Sequence, residues 1–214
     1  MYRIVFLISS VIILVHCSSK QKIAMLPYYN TPDFTPHFIS ADAATKEIPH
    51  TIAGFSCTDQ SGATITQKNI EGKIHVANFF FTACGSICPK MMTNLKTTYE
   101  AFKLDTGIVF LSYSVTPWRD SVARLKNYAE HNDISLTNWH LLTGNKADIY
   151  KLARTSYFAE EDFGFSKDSS QFLHTEHILL IDQHKKIRGI YNGTLELETQ
   201  QLAKDIAVLK NEGQ

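Results

Sequence analysis

The chain has 214 residues, and its 21 lysines and arginines are balanced by 21 aspartates and glutamates. Hydrophobic residues make up 44% and charged residues 20%, the proportions of a single globular domain that can bury a core without disulfide staples. Zero net charge gives no electrostatic footprint for nucleic acid, and four cysteines are too few for a disulfide scaffold of this length.

The first residues point to export. Arg3 precedes an apolar run, Ile4 to Val15, broken only by Ser9 and Ser10. That run is short for a bilayer-spanning helix and suits the apolar region of a signal peptide. It ends in Leu14-Val15-His16-Cys17-Ser18-Ser19, which resembles a bacterial lipoprotein processing site, although His16 stands where a small residue is expected. The expectation is a lipoprotein-type signal peptide over residues 1–17 with Cys17 lipidated. The alternative is an uncleaved anchor in which Cys17 is an incidental thiol. Both put the domain at the periplasmic face of a bacterial envelope, tethered to a membrane, with its other cysteines in an oxidising compartment.

Residues 18–50 read as a tether. Pro27, Pro32, Pro36 and Pro49 interrupt every periodic run, while Tyr28, Tyr29, Phe34 and Phe38 suggest that part of it packs on the domain. The domain proper is expected over residues 51–214. Ile74 to Phe81 is a buried strand, and a helical stripe follows at Met91, Leu95 and Phe102. Ile108 to Val115 is a second buried strand, and Val122, Leu125 and Ala129 form the next helix face. Trp139 to Leu142 is a short strand, and Asn145 caps a helix running through Ala153. His177 to Asp182 and Ile187 to Tyr191 form a late hairpin around Gln183-His184-Lys185-Lys186. Leu202, Ile206 and Leu209 mark a last helix. The fold class is α/β: a central mixed sheet with helices on both faces.

Cys84-Gly85-Ser86-Ile87-Cys88-Pro89 carries the chemistry. It occupies a strand-to-helix turn, where backbone N–H groups and the helix dipole favour thiolate, the form that attacks disulfides and binds metals. The spacing lets both sulfurs converge on one ion or close to a disulfide. Gly85 leaves the approach uncrowded, and Pro89 suits an early helical position. The plain alternative, two small core residues or a static disulfide, accounts poorly for a Gly-Ser turn between the two cysteines.

The segment Asn78-Phe79-Phe80-Phe81-Thr82-Ala83-Cys84-Gly85-Ser86-Ile87-Cys88-Pro89-Lys90-Met91 resembles the signature of the SCO/SenC family of copper chaperones. Ser114-Val115-Thr116-Pro117-Trp118-Arg119-Asp120 resembles the family's strand-end segment, with Thr116 where many members carry an aspartate. His174-Thr175-Glu176-His177-Ile178-Leu179-Leu180-Ile181-Asp182 resembles its histidine segment, with the ligand histidine falling on His174. The resemblance implies a thioredoxin-like fold, copper held by Cys84, Cys88 and His174, and the copper-bearing subunit of cytochrome c oxidase as recipient. Other copper carriers or thiol–disulfide reductants would be further partners.

Thioredoxin-type enzymes place a cis-proline before the late strand, facing the cysteines. This chain has no proline there and has His174 instead. His177 is the second candidate, and either His177 or Cys57 could supply a fourth ligand. His16, His37, His50, His75, His131, His140 and His184 read as structural or solvated. Two thiolates with one imidazole form a soft, low-coordinate set that suits copper(I) and can also hold copper(II), whereas structural zinc wants four protein ligands. Two readings compete. One is a metallochaperone for cytochrome c oxidase assembly. The other is a thiol–disulfide reductase acting on partner cysteines in the envelope, for which Cys84 and Cys88 are the redox pair. A redox or copper sensor is a third reading without a feature of its own.

Overall fold

The structure is a computed structural model that describes residues 25–134, 137–159 and 175–212. Cys17 and His174 lie outside the described residues. Where prolines interrupt every periodic run, the chain still builds two short strands, β1 (Tyr28–Tyr29) and β2 (Pro36–His37), and a helix, α1 (Ala41–Glu47), capped by Ser40. Buried Arg188 anchors this stretch. Its guanidinium donates to the carbonyls of Leu26 and Pro27, pairs with Asp182 and Glu212, and lies 3.9 Å from the centre of the Tyr28 ring.

The strands β3 (Ser56–Asp59) and β4 (Thr64–Thr66) form a hairpin at the other edge of the sheet. β5 (Ile74–Phe80) is buried at every position, as a strand covered on both faces must be. It leads into α2 (Ile87–Phe102), and β6 (Ile108–Ser114), equally buried, returns parallel to it. A second crossover, α3 (Val122–His131), leads to β7 (Trp139–Thr143), parallel to β6. Asn145 caps α4 (Lys146–Thr155), accepting from the N–H groups of Ala147 and Asp148. The expected late hairpin follows as β8 (His177–Ile181) and β9 (Ile187–Asn192), with Asp182 accepting from the N–H groups of His184 and Lys186. α5 (Glu196–Glu212) closes the chain.

Among the described residues the strands form one sheet in the order β2-β1-β9-β8-β5-β6-β7-β3-β4. Its strands are parallel only where α2 and α3 cross over, so the sheet is mixed as expected. Alternation along the strands separates two cores. Ile74, Val76 and Phe80 of β5 join Met91, Leu95, Leu125, Leu202 and Ile206 on the face covered by α2, α3 and α5. Ala77 and Phe79 join Ile149, Leu152 and Tyr157 on the face covered by α4. No helix among the described residues is long and apolar enough to cross a membrane.

A buried polar chain sits in the α4-side core. The Tyr157 hydroxyl lies 3.1 Å from His75 Nε2 and 3.3 Å from the Tyr113 hydroxyl, while His75 Nδ1 has no hydrogen-bond partner among the described residues. Burial lowers the pKa of His75 from 6.5 to about 3, so the ring is neutral in the folded state. The unfolded chain takes up that proton first, so stability is complete above pH 6.5 and is lost as pH falls toward 3. In urea titrations between pH 5.5 and 4, His75 should contribute a loss of about 1.4 kcal/mol per pH unit. His75→Gln should flatten that slope, and an unchanged slope would mean that another group carries it.

Candidate functional site

β5 is sealed on both faces through Phe80, and the chain first reaches solvent at Phe81 and Thr82. The turn that follows ends where α2 begins. Ser86 occupies the N-cap position yet makes no side-chain capping bond. The sulfur of Cys84 supplies that acceptor, receiving the Cys88 N–H at 3.4 Å. A helix start leaves N–H groups without intrahelical partners and carries the positive end of the dipole, so a thiolate here meets donors and field together. Cys88, in the first turn of α2, points inward, is 4% exposed and joins the core with Met91 and Leu95. Both cysteines are free thiols. A Cβ at Gly85 would meet nothing within 4 Å among the described residues.

The two thiols are polarised in opposite directions. Partial burial of Cys84 acts to raise its pKa, but hydrogen bonding from Cys88 and from the Ser86, Cys88 and Ile87 backbone outweighs it and lowers the pKa overall. Burial, reinforced by the hydrogen bond and charge of Cys84, pushes Cys88 up to about 12. A partly exposed thiol that ionises more readily therefore lies beside a buried thiol that keeps its proton. Tyr128, on α3, packs against Phe80 with ring centres 5.5 Å apart. Burial, then the charges of Cys88, Cys84 and Asp120, raises its hydroxyl to about 12, so the phenol is a neutral neighbour of the pair.

Behind the site runs a buried polar relay. The Trp139 indole donates to the Ser112 hydroxyl at 2.9 Å, that hydroxyl donates to Asn78 Oδ1 at 2.6 Å, and the Asn78 amide faces Met92 Sδ at 3.6 Å. Thr116 is buried, and its hydroxyl donates to Asp120 at 2.9 Å. The position that departs from the resemblance is thus tied to a carboxylate four residues on.

The sheet separates the remaining candidates. Ile178 and Leu180 of β8 face the cysteine side, and Leu179 and Ile181 face the other. By the same alternation His177 belongs to the far side, where its ring meets Phe34 edge-on at 5.9 Å. Cys57 lies in β3 within the α4-side core, and burial raises its thiol to about 11. Neither is on the face that holds Cys88. His50, His75 and His140 are engaged by Ser156, Tyr157 and Asp59 respectively. Among the described residues no three His, Cys, Asp or Glu side chains converge as a metal-binding group. Tyr128 and Asp120 are the neighbours that the sequence reading missed. Tyr128 follows Leu125 by one helical turn on the apolar side of α3, and Asp120 ends a segment whose hydroxyl residues, Ser114 and Thr116, are spaced to reach it.

Known proteins share this fold. The SCO1/SenC family model matches residues 43–211. The SCO1 protein homolog of Bacillus subtilis is 30% identical over 156 residues, which span 71% of this chain and 79% of that protein. A SCO1/SenC family lipoprotein from Bacillus anthracis superposes with a TM-score of 0.64 at 30% identity, covering 77% of this chain and 98% of the other. ScoI of Bradyrhizobium japonicum, solved with copper bound, gives a TM-score of 0.59 at 27% identity and covers 74% and 99%. The fold is the thioredoxin-like fold of these proteins. By family match, by overall likeness and by the cysteine turn at the head of α2, this chain belongs to the SCO1/SenC family.

Proposed function

We propose that the protein is a membrane-tethered copper metallochaperone that binds copper(I) through Cys84, Cys88 and His174 and delivers it to the copper-bearing subunit of cytochrome c oxidase. The observation that carries this reading is the pair of free thiols at the start of α2, with the Cys84 sulfur accepting from the Cys88 N–H. Copper enters as cargo: the thiols lose their protons to it, and soft sulfur ligands favour the monovalent ion. Family membership and the copper-bound relative from Bradyrhizobium support copper as the metal. His174 is assigned as third ligand from the family's histidine segment, and the far-side position of His177 supports it over its neighbour. Lipidation at Cys17 would hold the domain at the envelope membrane, a reading supported by the lipoprotein relative from Bacillus anthracis.

The opposite polarisation of the two thiols favours a second activity, reduction of a partner's disulfide. Cys84 thiolate would attack one sulfur of the partner and expel the other as thiolate. Cys88, losing its proton, would then resolve the mixed disulfide. Two electrons pass to the partner, and Cys84 and Cys88 end as a disulfide that cannot hold copper until an envelope dithiol reduces it. The two activities fit in sequence, because a recipient's cysteines must be reduced before they accept the metal.

Titration of the reduced full chain with copper(I) against a competing chelator should give one strong site. Cys84→Ala, Cys88→Ala and His174→Ala should each weaken it by at least about tenfold, or about 1.4 kcal/mol. X-ray absorption should show nitrogen leaving the copper shell in His174→Ala, and wild-type affinity in all three variants would end the chaperone reading. In the reduced, metal-free protein near neutral pH, iodoacetamide should modify Cys84 well before Cys88 or Cys57, read by peptide mass spectrometry. Equal rates at Cys84 and Cys57 would remove the basis for the reductase step.

A further inference from the structure

We infer that Asp120 is the positioning residue of the cysteine turn, a buried carboxylate that fixes where Cys84 sits over the start of α2. Asp120 is fully buried. It accepts from the Thr82 hydroxyl at 2.6 Å, the Thr82 N–H at 3.2 Å, the Ser114 hydroxyl at 2.6 Å and the Thr116 hydroxyl at 2.9 Å. Arg124 Nε lies 3.5 Å from its Oδ1 and donates to the Thr82 hydroxyl at 2.5 Å. An ionised carboxylate out of water is costly unless its lone pairs are satisfied, and here neighbouring donors satisfy them.

The partners show what the carboxylate does. Thr82 is the first residue beyond Phe81, and it gives both of its donors to this one side chain. The Cys84 N–H then closes back onto the Phe81 carbonyl at 3.2 Å. The chain between β5 and Cys84 is therefore held at both ends. On the other side, the Asp120 N–H donates to the Thr116 carbonyl at 2.9 Å, fixing the turn that follows β6. One carboxylate thus links the loops leaving two adjacent parallel strands, the two loops that bring the cysteine pair and α3 with Tyr128 together. Small displacements matter at such a site, because the thiolate's donors are backbone groups that cannot follow it.

Asparagine at 120 keeps the volume but presents an amide to donors that need an acceptor. Thr82→Val removes the hydroxyl alone and leaves the N–H bond. Ser114→Ala removes a bond to the same carboxylate on the β6 side, so it reports on stability without touching the cysteine turn.

The inference builds on the copper and redox reading of Cys84 and Cys88, so its test uses the metal-free full chain. The readouts are the equilibrium of the Cys84/Cys88 pair with glutathione and the alkylation rate of Cys84, with thermal unfolding measured alongside. Asp120→Asn should shift both readouts by about tenfold, the low end of what loss of an outer-shell partner does to a ligand site. Thr82→Val should shift them by about threefold, as loss of one hydrogen bond allows, and should lower the melting temperature about as much as Ser114→Ala, since both remove a donor from the same buried carboxylate. Ser114→Ala should lower the melting temperature and leave both readouts within twofold of wild type, a margin smaller than one hydrogen bond. If Asp120→Asn fails to fold, Thr82→Val and Ser114→Ala decide between them. Unchanged readouts in Thr82→Val, or an equal shift in Ser114→Ala, would overturn the positioning role. Failure of the wild type to bind copper(I) would sink the chaperone reading while leaving this comparison intact.

Discussion

A strand buried on both faces has only its two ends from which to reach water, and that constraint places the site. Every position of β5 is enclosed. Its backbone groups are taken by β6 on one side and β8 on the other, so no reactive side chain on the strand can meet a partner. The chemistry gathers at the carboxyl end, where the chain escapes into the turn before α2. Because β6 runs parallel to β5, its loop emerges at the same rim. Parallel topology thereby brings two loops distant in sequence within hydrogen-bond reach.

The same helix start makes two different thiols from two identical residues. Cys84 lies outside α2 and takes the place of a capping side chain, so its charge is stabilised by N–H groups that would otherwise lack partners. Cys88, four residues on, has turned into the core and loses more by ionising than the turn returns. This asymmetry follows from the spacing and from which side of the helix faces the sheet. The polar chain of His75, Tyr157 and Tyr113 is on the other face, with the sheet between it and the sulfurs.

Much of this was legible in the sequence because the signals are local. Continuous apolar runs mark β5 and β6, and Asn145 and the polar turn at 183–186 place α4 and the late hairpin within a residue or two. The cysteine turn could be read from a strand pattern meeting a helical stripe. The elements β1, β2 and α1 could not be read this way. Two-residue strands have no periodicity, and what holds this stretch is buried Arg188, more than a hundred residues later in the chain. Asp120 was missed for a related reason. A lone aspartate after a tryptophan and an arginine looks like a solvated turn residue, and only the packing of two loops shows that its oxygens face inward. The side assigned to His177 likewise needed the register of β8, because alternation gives parity but not which face holds the sulfurs.

The chain's two tryptophans stand in opposite surroundings. Trp139 has no exposed surface, and its indole begins the relay through Ser112 and Asn78 to Met92, four residues beyond Cys88 on α2. Trp118 is 57% exposed, on the loop after β6, with Lys146 Nζ 4.9 Å from its ring centre. The molecule therefore carries a pair of built-in optical probes. One is enclosed at the start of a hydrogen-bonded chain that ends at Met92, and the other samples solvent on the loop after β6. Light from the first reports on the interior, and light from the second on the solvent side of the loop after β6.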